Sequence, residues 1–273
     1  MKTTRIIFSL LAASLLLAVT SQADFIWDNG SADGQWKTPT NWTGTGGDPD
    51  NTAPTAGSTV RIENGDIVNW DGNSGQNFAA NLNLTLSGNS TLTAEDVLRL
   101  NNATLTVNSG STLASTAGGF WDLSNGDLTF EDGAIVTIDD WENKNANTFT
   151  FNLSATGFTT LTPNVFRTNL INSDITDAVY NVDLQHYTGA QGIITLVDYN
   201  VDAYPNGGMD NTLFQTAGGL NVLNASAYAG SFLQWNDGAE SIELVLIPEP
   251  SSLSLMGLFG LVVWFARRRA ACA

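Results

Sequence analysis

A short phrase of alternating apolar and polar residues, interrupted by one glycine, recurs four times in the first half of the chain. Successive copies begin at a near-constant spacing of about 22 residues. A second alternating run precedes each of the last three copies, at residues 78–82, 98–100 and 121–123. The four copies are VRIENGDIVNW from Val60, LTLSGNSTLTA from Leu84, LTVNSGSTLAS from Leu105 and LTFEDGAIVTI from Leu128.

The repeat constrains the fold because a unit of about 22 residues cannot bury its apolar face alone. Alternation places every second side chain on one face, and stacked units would give a continuous inward ladder. The repeat therefore predicts an all-β fold and, within it, a β-solenoid, namely a right-handed parallel β-helix with coils of about 22 residues. An antiparallel sandwich is the alternative, since strands at roughly 8–12-residue spacing also describe one. Turns between two strands are predicted at Gly65, Gly88, Gly110 and Gly133, because glycine readily adopts a positive φ.

The rest of the body is divided around these repeats. Residues 24–59 are interpreted as an N-terminal cap or first coil, residues 60–140 as the β-helix repeats, and residues 141–247 as further degenerate coils or a β cap. The patterns WDNG…DGQW…NW and GIITLVDYN…SIELVLI resemble segments of autotransporter-like repeat proteins of bacterial surfaces. Three tryptophans are expected to pack the cap, with a glycan-stacking platform as the alternative: Trp27, Trp36 and Trp42.

Residues 1–23 are typical of a Sec-type signal peptide, predicted as a helix. Two basic residues near the start precede the apolar residues 6–19. Ser21 and Ala23 are the small residues expected at a cleavage site before Asp24. Export is therefore predicted, and a buried N-terminal helix is the alternative.

Residues 248–273 contain a Pro-Glu-Pro tripeptide, an apolar stretch and an arginine cluster, in that order. The prolines end any preceding strand, because neither can donate a ladder hydrogen bond. Residues 251–266 would form a helix of roughly 24 Å, and with some tilt or local thinning it is predicted to span a membrane. The positive-inside bias puts the arginines in the cytoplasm and the body outside the inner membrane.

This order of parts resembles a PEP-CTERM sorting signal. In that family an exosortase, a membrane protease similar to transpeptidases, recognises the tail and cuts near the Pro-Glu-Pro. The resemblance implies an exosortase as partner, attachment to envelope polysaccharide or release, and a final place at the cell surface or in the extracellular matrix. A plain transmembrane anchor is the alternative. The sorting-signal residues are Pro248, Glu249, Pro250, Arg267, Arg268 and Arg269.

The charge balance excludes some partners. The formal net charge is −17, and five of the ten basic residues lie at the two ends of the chain. Such a surface repels a phosphate backbone, so nucleic-acid binding is not expected. Cys272 is the only cysteine, which excludes an intrachain disulfide and a cysteine-based zinc site.

Acidic clusters and the single histidine are the candidates for catalysis. Paired carboxylates could act as general acid and base of a polysaccharide lyase or hydrolase. Nothing around His186 resembles a nucleophile motif, so a surface or packing role is expected there. The acidic candidates are Asp122, Asp127, Asp139, Asp140 and Glu142.

Calcium is the most plausible metal, because several hard oxygens lie on loops rich in Asn, Gly and Asp. These candidates are weak, since the same residues also make ordinary turns. They are Asp28, Asp33, Asp48 and Asp50.

Three functional hypotheses follow from the sequence. The favoured one is an exported, non-enzymatic surface or matrix protein with a structural or adhesive role and no cofactor. The alternatives are a polysaccharide-active lyase or hydrolase on a β-helix, and a calcium-dependent glycan-binding adhesin.

Overall fold

The computed structural model describes residues 24–45, 53–70, 81–95, 98–116, 120–138, 140–144, 147–154, 166–168, 171–173, 178–199, 219–239 and 241–247. These residues form 21 strands and one 3-10 turn, Pro39–Asn41, so the all-β prediction is confirmed. The strands are β1 Asp24–Trp27, β2 Trp42–Thr45, β3 Thr59–Ile62, β4 Ile67–Trp70, β5 Asn83–Leu86, β6 Thr91–Ala94, β7 Leu98–Asn101, β8 Thr104–Val107, β9 Thr112–Ser115, β10 Phe120–Ser124, β11 Asp127–Glu131, β12 Ile135–Ile138, β13 Asp140–Lys144, β14 Thr148–Ser154, β15 Phe166–Thr168, β16 Ile171–Ser173, β17 Val179–His186, β18 Gly192–Tyr199, β19 Gly219–Leu223, β20 Phe232–Asn236 and β21 Ser241–Leu246.

The strands lie in three sheets. Sheet A has the order β19-β17-β14-β11-β8-β5-β3-β1-β2, sheet B the order β20-β21-β18-β15-β12-β9-β6-β4, and sheet C the order β16-β13-β10-β7. The pairs β1–β2, β18–β21 and β20–β21 are antiparallel. The other pairings of the described strands are parallel, which does not fit an antiparallel sandwich.

From β3 to β14, neighbouring strands of sheet A are separated in sequence by one repeat. Register partners succeed one another from Thr59 to Asn83, Thr104, Asp127 and Thr148, at the spacing of the repeated phrase. The series then continues from Thr148 to Val179 and on to Gly219, across progressively longer segments of chain. Strands of the same sheets therefore continue through residues 141–247, beyond the region in which the phrase recurs.

The core lies between the sheets and is made of inward columns of register partners. Leu86, Val107, Phe130 and Phe151 are partnered in succession, and each is at most 1% exposed. The rings of Phe130 and Phe151 lie 5.4 Å apart, so the aromatic residues extend the aliphatic column. The outward positions of the same strands are half-buried and polar, for example the threonines Thr85, Thr106, Thr129 and Thr150.

Glycine turns join the strands of sheet A to those of sheet B. Gly65, Gly88, Gly110 and Gly133 lie between two strands with φ of +81°, +64°, +77° and +81°, as predicted. Successive turns also touch: a Cβ built on Gly88 would lie 2.7 Å from the backbone nitrogen of Asn64 in the preceding turn. Glycine is therefore required at this turn by close approach as well as by its φ.

The described residues contain no helix that is long and apolar enough to cross a membrane. The predicted signal helix and its cleavage residues Ser21 and Ala23 lie outside the described residues, as does the predicted transmembrane helix at residues 251–266.

Replacement of Gly88 by alanine tests the contact between turns. Gly57 is the control, since its φ is +78° but a Cβ there would meet nothing within 4 Å. We expect Gly57→Ala to lower the free energy of unfolding by about 1 kcal/mol through backbone strain alone. Gly88→Ala should lower it by at least about 1 kcal/mol more, because the preceding turn must also shift. Urea unfolding followed by tryptophan fluorescence measures both, and equal losses would contradict the contact between turns.

Two buried serines allow a second test of the packing between repeats. The hydroxyl of Ser111 is buried without a hydrogen-bond partner, and Ala134 follows it one repeat later. Ser111→Ala should therefore be neutral or stabilise the protein by up to about 1 kcal/mol. The hydroxyl of Ser58 is equally buried but accepts a hydrogen bond from the backbone of Thr55 at 3.0 Å, so Ser58→Ala should destabilise by about 1 kcal/mol. The same urea titration measures the free energy of unfolding of both variants. A clear loss of stability in Ser111→Ala would show that the Ser111 hydroxyl has a hydrogen-bond partner.

Candidate functional site

The tryptophans of residues 24–59 form one buried cluster. Trp27, Trp36 and Trp42 are at most 2% exposed, and Trp70 of β4 is 5% exposed. Trp42 packs edge-to-face against both Trp27 and Trp36, at 4.9 and 4.6 Å between ring centroids, and Trp36 packs the same way against Trp70 at 5.7 Å. These tryptophans therefore pack against one another in the interior of the protein, whereas the interpretation of residues 24–59 as a cap stays a prediction. Their rings are not available for stacking on a sugar.

A network of hydrogen bonds centred on Asn41 and Asp33 stabilises the loop between β1 and β2. Asn41 is fully buried, and its amide donates to Asp33 Oδ1 at 2.6 Å and to the carbonyl of Gln35 at 2.9 Å. Thr38 Oγ1 and the backbone nitrogen of Gln35 also donate to Asp33, at 2.7 and 2.9 Å. These bonds, from Thr38 first and then from Gln35 and Asn41, hold the pKa of the exposed Asp33 carboxyl well below its usual range.

The two calcium candidates of this loop, Asp28 and Asp33, accept hydrogen bonds from donors of the protein. Asp28 Oδ1 accepts the backbone nitrogen of Gly30 at 3.0 Å, and its Oδ2 accepts the hydroxyl of Thr43. Burial raises the pKa of Asp66, and the negative charges of Glu63 and Asp28 add to that shift. In the part of the chain that the structure describes, no group of three acidic, histidine or cysteine side chains could hold a metal ion. Asp48 and Asp50 lie outside the described residues.

The acidic residues proposed for catalysis are divided between two sheets. Register pairs Asp122 of β10 with Glu142 of β13 in sheet C, whereas Asp140 is opposite Phe120. Asp127 belongs to sheet A, where its neighbours are threonines and its side chain is exposed. Asp139 lies outside the described residues. The backbone therefore brings together one pair of the five predicted acids.

A polar groove with a volume of about 220 Å³ lies at the ends of β11, β14 and β17. Register places Glu131 beside Asn152, and Asn152 beside Asp183. His186 is exposed at the end of β17 and is the register partner of Ser154, after an irregularity in the pairing. The residues that line the groove are Glu131, Asn152, Leu153, Asp183, Gln185 and His186.

Amide groups bind both carboxylates of this groove. Asn152 Nδ2 donates to Glu131 Oε1 at 2.8 Å, and Asn224 Nδ2 lies 2.9 Å from both oxygens of Asp183. The backbone nitrogen of Gln185 also donates to Asp183, at 2.8 Å. Two of these donors are neutral amide groups from later parts of the chain, Asn152 of β14 and Asn224 after β19.

The sequence analysis considered His186 and expected a surface or packing role there, and it did not single out Glu131 or Asp183. Each of these acids directly follows an inward residue, Phe130 in β11 and Val182 in β17, and both of these inward residues are register partners of Phe151 in β14. An alignment of TFTFNLS from Thr148 and VYNVDLQH from Val179 to the earlier phrases would have revealed this column.

Asp132 is a buried acid that directly follows Glu131, a residue of the groove, in the sequence. It is 7% exposed, and its Oδ2 accepts a hydrogen bond from the hydroxyl of Ser154. Burial raises the pKa of Tyr187, and Tyr228 and the Asp132 carboxylate add to that shift. The hydroxyl of Tyr187 donates to the carbonyl of Ala190 at 2.8 Å, which requires the neutral phenol.

The depressed pKa of Asp33 gives the cap a defined pH dependence. Because the folded-state pKa lies below the unfolded value of about 3.9, the stabilisation is present above that value and is lost as the pH falls toward the folded pKa. Asp33→Asn should lower the melting temperature at pH 7, and the difference from the wild type should shrink below about pH 3.5. Asp237→Asn, in the exposed turn after β20, controls for the loss of one negative charge. Thermal unfolding followed by tryptophan fluorescence measures both, and a difference that is constant with pH would contradict the assignment.

Comparison with known proteins bears on the tail. Residues 246–269 match the family model for the PEP-CTERM protein-sorting motif. No curated protein and no solved structure matches the chain. The match covers Pro248 to Pro250 and Arg267 to Arg269, so the predicted sorting signal is confirmed. The chain therefore carries a PEP-CTERM sorting motif, which implies export and processing by an exosortase, a membrane enzyme.

Proposed function

We propose that this chain is a non-enzymatic protein of the cell surface or extracellular matrix, with a structural or adhesive role, delivered by exosortase processing of its tail. The sorting motif at residues 246–269 carries the proposal. A sorting motif of this kind is consistent with a protein that acts outside the inner membrane. The predicted signal peptide at residues 1–23 supports the same route.

The body is a right-handed parallel β-helix in this proposal. The support is the succession of parallel pairs at the spacing of the repeated phrase, from Thr59 to Asn83, Thr104, Asp127 and Thr148, beside two further sheets. The turns at Gly88, Gly110 and Gly133 also rest on the turn before, as a Cβ on Gly133 would lie 2.9 Å from Ser109 Oγ. Stacked repeats give a long, continuous surface, which suits a matrix or adhesive protein.

The groove supports a structural role better than catalysis. Its two carboxylates accept hydrogen bonds from Asn152 and Asn224, and His186 is the one imidazole of the chain. Amide-to-carboxylate bonds between strands stabilise the outer face of sheet A and fix the register. In this proposal the mature protein lies among the envelope polysaccharide.

The tail resides in the membrane until it is cut. Residues 251–266 are the proposed span, with Arg267 to Arg269 in the cytoplasm and the acidic body outside. The cut near Pro248 to Pro250 would free the body for release or for transfer to a glycan.

Intact mass of the mature protein tests this proposal. In cells with the exosortase, the C-terminal residues after the Pro-Glu-Pro should be missing, and in cells without it the tail should be retained through Arg269. The double variant Pro248→Ala/Pro250→Ala should retain its tail in both strains, whereas Pro39→Ala, in the body, should be processed as the wild type. If the wild-type tail is retained in both strains, the proposal is contradicted and the tail is a plain membrane anchor.

A further inference from the structure

Apolar side chains from three neighbouring strands are exposed together at one end of sheet B. Ile193 of β18 and Phe232 of β20 are both opposite Val245 of β21. Ile193 is 56% exposed, Phe232 is 46% exposed and Ile247, two residues after Val245, is 42% exposed. We call these residues, with the half-buried Val245, the terminal patch.

The terminal patch lies on the outer face of the sheet and not in the core. The alternate residues of β21, Ile242, Leu244 and Leu246, are buried, as is Leu233 of β20. At the corresponding outward positions of sheet A, the strands carry threonine and asparagine. Other large apolar side chains are exposed elsewhere, namely Ile67, Ile135, Leu220 and Leu223, but in the terminal patch register pairing brings exposed apolar residues of neighbouring strands together. Exposed apolar residues that form one contiguous patch mark a contact site.

The chain segments that form the patch carry no charged side chain, although the chain has 27 acidic residues. The described segments that form this end, residues 187–193, 228–233 and 244–247, contain no Asp, Glu, Lys or Arg. Two tyrosines tie the segments together: the rings of Tyr187 and Tyr228 lie 5.4 Å apart, and Tyr228 donates to the carbonyl of Gly189 at 2.6 Å. The acidic turn that contains Asp237 is at the opposite end of the β20–β21 hairpin.

The position of the patch along the chain determines what it can meet. Pro248, Glu249 and Pro250 alone separate Ile247 from the apolar stretch at residues 251–266. Four Cα steps reach at most roughly 14 Å, so a membrane-embedded stretch holds the patch at the surface of the bilayer. The same tether gives the patch a high effective concentration at that surface.

We propose that the terminal patch binds the outer surface of the lipid bilayer while the tail is in place, at the boundary of headgroups and acyl chains. This inference rests on the proposed function, because it requires residues 251–266 to reside in the membrane. The docked body presents the Pro-Glu-Pro segment at the membrane surface, where the exosortase is embedded. Cutting removes the tether, and a patch of four side chains is too small to retain the body.

The test uses the exported full chain, extracted from cells without exosortase and reconstituted into vesicles of phosphatidylethanolamine and phosphatidylglycerol. Cys272 is replaced by alanine, and one fluorophore is placed by Ala229→Cys, in the exposed turn next to the patch, or by Ala56→Cys, in an exposed turn before β3. We expect lipids with a nitroxide headgroup to quench the label at residue 229 at least about threefold more than the label at residue 56. In the Ala229→Cys background, Phe232→Ser/Ile193→Ser should abolish that excess, and both replaced side chains are exposed, so the fold is retained.

Four outcomes would overturn the inference. Equal quenching of both labels, in protein that floats with the vesicles, means that the tail is embedded but the patch is free, and the proposed function stands. Quenching that survives Phe232→Ser/Ile193→Ser means that the tether alone places this end at the membrane. Fluorescence changes that depend on protein concentration and not on the nitroxide lipid identify a second copy of the chain as the occupant. Protein that does not float with the vesicles contradicts both this inference and the proposed membrane residence of the tail.

Discussion

The parallel pairing of strands that lie one repeat apart is the interaction on which the other features of the molecule depend. Register partners such as Leu86, Val107, Phe130 and Phe151 place one buried side chain directly over the next. Because side chains alternate between faces, a shift of one residue would move such a column to the solvent side. The positions of the glycine turns and of the polar groove follow from this register, whereas the terminal patch lies on the antiparallel strands β18, β20 and β21.

Sequence patterns predicted the part of the fold in which spacing and alternation agree. From Val60 to Ile138 the phrase identified the paired strands of sheets A and B and the turn glycines between them, such as Gly88 and Gly110. Beyond β12 the alternation persists in β14 and β17, but longer segments separate β17 and β19 from the strands they pair with. A search for constant spacing therefore loses these strands, although the inward pattern of Phe149, Phe151 and Val182 continues the same columns.

The candidate site was harder to predict because its partners are distant in sequence. Glu131 and Asn152 meet only because β11 and β14 are paired, and the bond between Asp183 and Asn224 requires the long segment before β19. Asp33 was recognised as a hard oxygen ligand, but sequence does not show that Thr38, Gln35 and Asn41 already occupy it. The tail differs in this respect, since its signal is local and linear. It was therefore recognisable without any knowledge of the fold.

The short separation of paired strands along the chain also affects the order in which the protein forms. A chain that crosses the inner membrane from its N-terminus delivers the tryptophan cluster first, and β5 then needs only the next repeat of the chain to pair with β3. Pairing strands one repeat apart costs less chain entropy than pairing strands across a longer loop, and each completed strand offers its free edge to the next. β19 and the antiparallel β20–β21 hairpin are delivered last, next to the sorting motif at residues 246–269, and β21 then pairs with the distant strand β18. The body can thus fold vectorially during export, so that the sorting motif enters the membrane attached to a domain whose first repeats are already assembled.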